Sequence, residues 1–163
     1  LLHGVWTDLL ALDDRVVKLD RDIRKLANSN EVTHRLQQLR GVGPLVATAL
    51  VATVGDARQY HNSRQMAAAI GLTPRQHSSG GKDRLLGISK RGDVYLRSLL
   101  IHGARAVVSQ AKHRDDRLSR WVIGIAQRRH PNVAAVALAN KTARMAWAML
   151  RNETDYDPDF AMS

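Results

Sequence analysis

The sequence predicts an all-α fold: a compact helical domain with a long N-terminal helix and one Gly/Ser-rich loop. Apolar residues recur at spacings of three and four along most of the chain. No segment shows convincing strand alternation, and turn residues such as Gly41, Gly43 and Pro131 separate predicted helices. Apolar residues make up 44% of the chain but aromatic residues only 4%, so Leu, Val, Ile and Ala must fill the core.

The first predicted element is a helix over residues 5–28. Its apolar residues follow a heptad pattern: Leu9, Leu12, Val16, Leu19, Ile23 and Leu26. Two interpretations are open: a coiled-coil arm that pairs with another subunit, or an amphipathic helix packed on its own domain. Ser29 or Asn30 can cap the next helix. We therefore expect a coiled-coil-type connector (residues 1–30), a helical domain (31–151) and a flexible acidic tail (152–163).

Residues 31–55 predict a helix, a tight turn and a second helix. The turn contains Gly41 and Gly43, and Pro44 suits the first turn of the second helix. This unit resembles the helix-hairpin-helix, in which the hairpin amides and the second helix's N-terminus contact a DNA phosphate. Gly41 and Gly43 are therefore candidate nucleic-acid contacts. The alternative is an ordinary glycine turn between packed helices.

Four more helices are predicted after this unit. They cover residues 62–70, 93–108, 117–129 and 133–150. Asn62 or Ser63 can cap the first, and Asp115 or Asp116 can cap the third. Pro131 separates the last two helices.

The charge balance predicts a polyanionic partner, most often nucleic acid. The chain has 25 Lys/Arg against 15 Asp/Glu, a net charge of +10 and a pI near 10.8. The excess falls late, with seven basic against two acidic residues in 75–105 and nine against two in 112–151. The alternative is a solvated basic surface.

Compartment and metal content follow from what the sequence lacks. It contains no cysteine, which excludes disulfides and thiolate metal sites and is compatible with a reducing cytosol. Neither an apolar run long enough to span a membrane nor a secretory segment is visible. The acidic residues do not converge as a two-metal nuclease requires, so we predict no metal site here. We expect a cytoplasmic protein without a membrane partner.

The most informative segment runs from residue 71 to residue 92. It places Ser78 and Ser79 beside Gly80 and Gly81, where a glycine backbone can approach a ligand closely. Basic residues surround the serines: Arg75, Lys82, Arg84, Lys90 and Arg91. A hydroxyl can attack phosphorus, and cations can neutralise the developing charge. By spacing alone, such a segment is also typical of a flexible connector. Arg97 could reach the same phosphate, or could form an ion pair on its own helix.

Five blocks in fixed order carry a family resemblance. They are residues 39–44, 68–76, 78–84, 88–93 and 96–106. Together they resemble the C-terminal half of the insertion-sequence 110/1111 (DEDD) transposases, which include the Piv-type DNA invertases as relatives. The match covers roughly residues 35–150, and the preceding arm is similar to the family's coiled-coil connector.

The resemblance implies a mobile-element DNA recombinase that works with an N-terminal RuvC-like, Mg²⁺-binding domain. In the family a serine attacks a DNA phosphodiester and forms a phosphoserine link. The serine that precedes the family's glycine aligns with Ser79, so Ser79 is the expected nucleophile. The expected nucleic-acid contacts in this segment are Arg75, Gly80, Gly81, Lys82, Arg84, Lys90, Arg91 and Arg97.

Partners and cofactors are implied in the same way. They are DNA, a guide (bridge) RNA and further copies of the chain in a dimer or tetramer, at the bacterial nucleoid. The chain opens without Met and lacks the acidic domain. We therefore expect a fragment that holds no cofactor and is inactive alone, with Mg²⁺ in the N-terminal domain. Two other functions stay open: a non-catalytic helix-hairpin-helix nucleic-acid-binding module, and an oligomerisation or interaction domain.

Overall fold

A computed structural model describes residues 2–79 and 82–158, and for residues 76–79 and 82–86 the description is of the backbone. Seven α-helices and one hairpin make up this part of the chain. The helices are α1 (Leu2–Ser29), α2 (Glu31–Leu36), α3 (Pro44–Val54), α4 (Ser63–Ala69), α5 (Val94–Gln110), α6 (Arg117–Arg128) and α7 (Pro131–Asn152). The strands are β1 (Pro74–Ser79) and β2 (Lys82–Ile88), and short 3-10 turns cover Ala57–Gln59 and Ala111–His113. The predicted all-α class is confirmed.

Local sequence explains where most helices begin. Five of them start after a side chain that accepts a hydrogen bond from a backbone N–H of the first turn: Asn30, Asn62, Asp93, Asp116 and His130. Each cap satisfies a donor that has no partner inside its helix, which typically stabilises a helix by about 1 kcal/mol. Pro44 and Pro131 lie in the first turns of α3 and α7, where a missing N–H costs nothing.

The core forms where α5 and α7 pack against each other and against α3, α4 and α6. On α7 the buried face consists largely of small residues: Ala134, Ala135, Ala139, Ala143 and Ala146, with Leu138 among them. Larger buried side chains from the other helices and from the α2–α3 turn belong to the same core: Leu36, Leu39, Leu50, Met66, Leu96 and Leu100. As predicted, aliphatic residues supply the core.

Helix α1 extends away from this core. Ala27 is its one buried residue among those described, and the end near Ala27 contacts α2 and α3. The heptad residues are exposed except for the half-buried Ile23. Because the helix starts at Leu2, the pattern also takes in Leu2 and Val5 at the same spacing. The interpretation of α1 as a helix packed along its own domain is therefore wrong for residues 2–22.

The expectation that the chain contains no strand is also wrong. Residues that were predicted as a loop pair as an antiparallel hairpin between β1 and β2. β1 is largely polar, and β2 groups its apolar residues Leu85, Leu86 and Ile88 towards its end, so neither strand shows the usual apolar alternation. Two residues, Gly80 and Gly81, separate the strands in the sequence, a composition that short hairpin connections favour.

The segment after α7 makes long-range contacts that its sequence does not indicate. The backbone N–H of Tyr156 donates to Gln38 Oε1 at 2.8 Å, and Gln38 Nε2 donates to Asp155 Oδ1 at 3.0 Å. These bonds tie the first part of the predicted flexible tail to the turn after α2. Among the helices of residues 2–79 and 82–158, none is long and apolar enough to cross a membrane.

Candidate nucleic-acid interface

The hairpin carries the residues that the sequence predicts to do chemistry. Ser79 lies opposite Lys82 in its register, Ser78 opposite Asp83, and His77 opposite Arg84. The backbone thus brings the predicted nucleophile and the predicted cation Lys82 to the same end of the hairpin. The predicted contacts Gly80 and Gly81 lie outside the described residues.

A narrow neck joins the hairpin to the helices. The neck consists of residues 69–73 and 89–92. The N–H of Ser89 donates to the Thr73 carbonyl at 2.8 Å, and the N–H of Lys90 donates to the Gly71 carbonyl at 3.2 Å. On the α7 side, Asn140 Nδ2 donates to the Leu72 carbonyl at 3.1 Å. The base of the hairpin is therefore held by hydrogen bonds from its own two segments and from α7.

Two glycines allow the neck segments to cross. Gly71 and Gly92 have φ of +79° and +96°, in the left-handed region that side chains disfavour. A Cβ on Gly92 would lie 1.7 Å from the Ala69 carbonyl oxygen, and one on Gly71 would lie 2.0 Å from the Arg91 carbonyl oxygen. No side chain fits at either position unless the crossing opens.

Arg97 does not occupy the position that the sequence predicts for a phosphate contact. Its side chain is buried at 7% exposure, and Nη1 donates to the Ile70 carbonyl at 2.9 Å. A second, longer bond of 3.5 Å reaches the Asp93 carbonyl. Neither predicted alternative, a phosphate contact or an ion pair along the helix, describes this geometry. Arg97 instead fastens α5 to the end of α4 beside the neck.

Three of the predicted cations are exposed around the neck: Arg75, Lys90 and Arg91. Lys90 has φ of +57°, which is uncommon for a residue other than glycine. Such backbone conformations persist where the surrounding structure holds them, often at functional sites. For Lys82 and Arg84 the structure gives the backbone register alone.

The turn between α2 and α3 packs tightly on α5. Gly41 has φ of +83°, and a Cβ there would lie 2.8 Å from the Gly103 carbonyl oxygen. A Cβ on Gly103 would in turn lie 2.0 Å from the Gly41 carbonyl oxygen. Gly41 thus has the packing role that the alternative interpretation of this turn gave it. Gly43 is exposed with open space around its Cα, at the start of α3.

An ion pair that the sequence did not predict holds the same turn on α6. Arg40 Nη1 donates to both carboxylate oxygens of Asp116 at 2.9 and 2.8 Å, and to Ser119 Oγ at 3.0 Å. Burial raises the pKa of Asp116, but the Ser119 hydrogen bonds and the Arg40 charge outweigh burial, and the pKa lies below its usual value of 3.8. The partners are 76 residues apart, so no local pattern could reveal them.

Metal ligands do not cluster in this part of the protein. Across the described ranges, no group of three or more His, Asp or Glu side chains could hold a metal ion.

His102 is exposed on α5, whereas the sequence suggested that it lies in a contact between helices.

Comparison with known proteins decides the family. The family described as "Transposase IS116/IS110/IS902 family" matches residues 33–119, which run from α2 through the hairpin and α5 into α6. The chain belongs to this transposase family. The match agrees with the resemblance seen in the sequence blocks and includes both the neck and the α2–α3 turn.

Individual relatives of the family agree. A probable family 20 transposase of Pseudomonas aeruginosa is 51% identical over 97% of this chain and 47% of its own length. The transposase for insertion sequence element IS1111A of Coxiella burnetii is 47% identical over 96% of this chain and 43% of its own length. A pilin gene-inverting protein of Moraxella bovis is 27% identical over 88% of this chain and 46% of its own length. The chain therefore spans less than half the length of these relatives.

Proposed function

We propose that this chain is the DNA-binding and serine-nucleophile domain of a transposase that cleaves and rejoins DNA through a phosphoserine intermediate. One observation supports this most: within the segment that matches the family, the hairpin register sets Ser79 opposite Lys82. Exposed Arg75, Lys90 and Arg91 at the neck would hold the DNA backbone beside that end.

The proposed reaction is a pair of phosphoryl transfers. Ser79 Oγ forms a bond to phosphorus while the bond from phosphorus to one deoxyribose oxygen breaks; the serine proton passes to a base, and the departing oxygen takes up a proton to become a hydroxyl. A deoxyribose hydroxyl of the new partner strand then displaces Oγ and restores the serine. Cations near the phosphate stabilise the charge on its oxygens in both steps, which is the role we give Lys82 and Arg84.

A metal-binding partner domain completes this proposal. A RuvC-like domain with four acidic residues, as the resemblance implies, would bring Mg²⁺, which polarises a phosphoryl oxygen and stabilises its charge. This chain's own contribution is then to bind DNA, to hold the serine and to position the hairpin. On this proposal the chain alone does not recombine DNA.

Nucleic-acid binding should be largely electrostatic. The +10 charge and the exposed cations at the neck favour contacts with phosphates, which carry no sequence information. We propose that a guide RNA supplies the sequence recognition. Binding to chromosomal DNA would place the protein at the bacterial nucleoid.

The α1 arm is the proposed site of self-association. Its exposed heptad residues leave an apolar stripe in water, which a second copy of the same helix would cover. Leu12→Glu with Leu19→Glu should then shift the mass measured by sedimentation from a dimer or tetramer to a monomer. Thr7→Glu adds charge off the stripe and should leave the mass unchanged. An unchanged mass for the double variant would show that α1 does not join the copies.

Covalent capture tests the serine assignment. The full-length parent is incubated with a nicked suicide DNA, and the protein–DNA adduct is measured on denaturing gels. Ser79→Ala should abolish the adduct while the affinity for DNA is kept, and Ser78→Ala is the matched control that should still form it. An adduct with Ser79→Ala would refute the assignment. A wild-type protein that binds DNA without any adduct would favour the non-catalytic binding module.

A further inference from the structure

A groove runs along α7 on a side that the proposed chemistry does not use. It encloses about 720 Å³, within the range of sites for small ligands. Lys141, Met145, Ala148 and Asn152 line it at successive turns of α7, and Ser63 and residues 154–157 close its sides. Lys141 and Asn152 are eleven positions apart, which spans about 16 Å of helix.

Cations gather at one end of this groove. Lys141 Nζ lies 5.5 Å from the centroid of the Trp121 ring, and Arg144 Nε donates to Ser63 Oγ at 3.3 Å. Burial, followed by the positive charges of Arg144 and Arg117, lowers the pKa of Lys141. Positive charges therefore crowd one another here, and an anion placed between Lys141 and Arg144 would relieve the repulsion.

The groove has an apolar stretch on α7 and acidic residues on the segment after α7. Met145, Trp147 and Ala148 form the apolar stretch, and Trp147 Nε1 donates to the Ala57 carbonyl at 3.1 Å, which fixes the indole ring. Tyr156 is half-buried beside them. Asn152, Thr154, Asp155 and Asp157 also line the groove. Cations, an aromatic surface and hydrogen-bond acceptors thus line the same groove.

The cationic end lies close to the neck of the hairpin. Asn140, the residue before Lys141, donates to the Leu72 carbonyl in the neck. A nucleic-acid strand bound at the exposed neck cations could therefore reach the groove.

We propose that this groove binds one unstacked nucleotide of the bound nucleic acid. Its phosphate lies between Lys141 and Arg144, and its base lies against the aromatic side chains of Trp147 and Tyr156. Stacking of a base on an aromatic side chain is worth about 1–3 kcal/mol. An exocyclic amino group, as in adenine, cytosine or guanine, donates to Asp155 or Asp157, whereas thymine and uracil lack that donor. The inference rests on the proposed function for the source of the nucleotide, and it adds a contact remote from Ser79.

Calorimetric titration of the full chain with mononucleotides tests the groove. Deoxyadenosine 5′-monophosphate should bind more tightly than thymidine 5′-monophosphate, deoxyadenosine or inorganic phosphate. Lys141→Gln and Arg144→Gln should each weaken it about tenfold, the effect of losing one hydrogen bond to a charged group. The matched control is Arg151→Gln, an exposed cation on the same helix that does not line the groove, and its effect should stay below about twofold.

A second variant separates the groove from the general basic surface. Ala148→Phe fills the apolar stretch of the groove and leaves every charge in place, so it should abolish binding of deoxyadenosine 5′-monophosphate. The inference is overturned if inorganic phosphate binds as tightly as the nucleotide, or if Arg151→Gln weakens binding as much as Lys141→Gln. The two charge variants keep the test valid if Ala148→Phe does not fold.

Two further measurements identify the source and keep this test apart from that of Ser79. A DNA or an RNA trinucleotide should displace the bound mononucleotide. The trinucleotide that competes more tightly identifies whether DNA or RNA supplies the nucleotide bound in the groove. Displacement by neither would overturn the inference. Ser79→Ala should bind the mononucleotide like the wild type, so a failure of the serine assignment leaves this result standing.

Discussion

Replacing two helical glycines with alanine should change stability in opposite directions. Gly103 lies within α5 and Gly124 within α6, and in each helix alanine is favoured over glycine by about 1 kcal/mol. A Cβ at Gly124 meets nothing within 4 Å. A Cβ at Gly103 would lie 2.0 Å from the carbonyl oxygen of Gly41, a backbone atom that cannot rotate away.

The magnitudes follow from these contacts. Gly124→Ala should raise the free energy of unfolding by about 1 kcal/mol and the Tm by about 2–4 °C for a chain of this size. Overpacking costs up to about 3 kcal/mol, so Gly103→Ala should lose about 2 kcal/mol after the gain in helix propensity. That loss corresponds to a Tm about 4–8 °C lower.

Thermal unfolding followed by circular dichroism at 222 nm measures both variants under the same conditions. Gly124→Ala is the control for helix propensity, because it makes the same chemical change without the contact. If Gly103→Ala raised the Tm as much as Gly124→Ala, the close packing of the α2–α3 turn on α5 would be refuted.

Two further substitutions test the contacts that position the interface. Asp116→Asn keeps the helix cap but loses the charge that Arg40 binds, so at pH 7 it should lower the free energy of unfolding by about 1 kcal/mol, a modest value because the Asp116 side chain is 44% exposed. The folded pKa of Asp116 lies below 3.8, so its contribution to stability is complete above that pH and is lost as the pH falls through the folded pKa. The free energies of unfolding of wild type and Asp116→Asn, measured with urea, should therefore converge in acid. A difference that stays constant with pH would contradict this. Arg97→Leu should lower the free energy of unfolding by about 1–3 kcal/mol, since it leaves the Ile70 carbonyl without its donor. The slope of log affinity for DNA against log salt concentration should not change. A slope reduced by about 0.9 would instead make Arg97 a phosphate contact.

Predictions from the sequence succeeded where short-range chemistry decides the structure. Asn30 or its neighbour was expected to cap α2, and Asn62 or its neighbour to cap α4, and in both cases the asparagine does so. Pro44 was placed correctly in the first turn of α3. A cap or a proline acts within three residues, so its sequence neighbourhood contains the information needed.

Predictions failed where distant segments meet. Arg97 is separated by 27 residues from the Ile70 carbonyl that it binds, and nothing in its helix distinguishes it from an exposed cation. The hairpin was missed because neither strand alternates apolar and polar residues, which is the pattern from which strands are predicted. The family blocks nevertheless located the segment that carries Ser79, although the role of that serine stays a prediction.

The exposed length of α1 has a mechanical consequence. Its 28 residues measure about 42 Å, and each residue is rotated by about 100° around the helix axis relative to the one before it. Deleting two residues from the exposed stretch would shorten the helix by only about 3 Å. It would also rotate the residues before the deletion by about 200° around the helix axis, relative to the rest of the domain. The effect of an insertion or deletion there should therefore depend on the rotation that it introduces around the helix axis. Changes of seven or eleven residues, which are close to whole numbers of turns, should be the least disruptive.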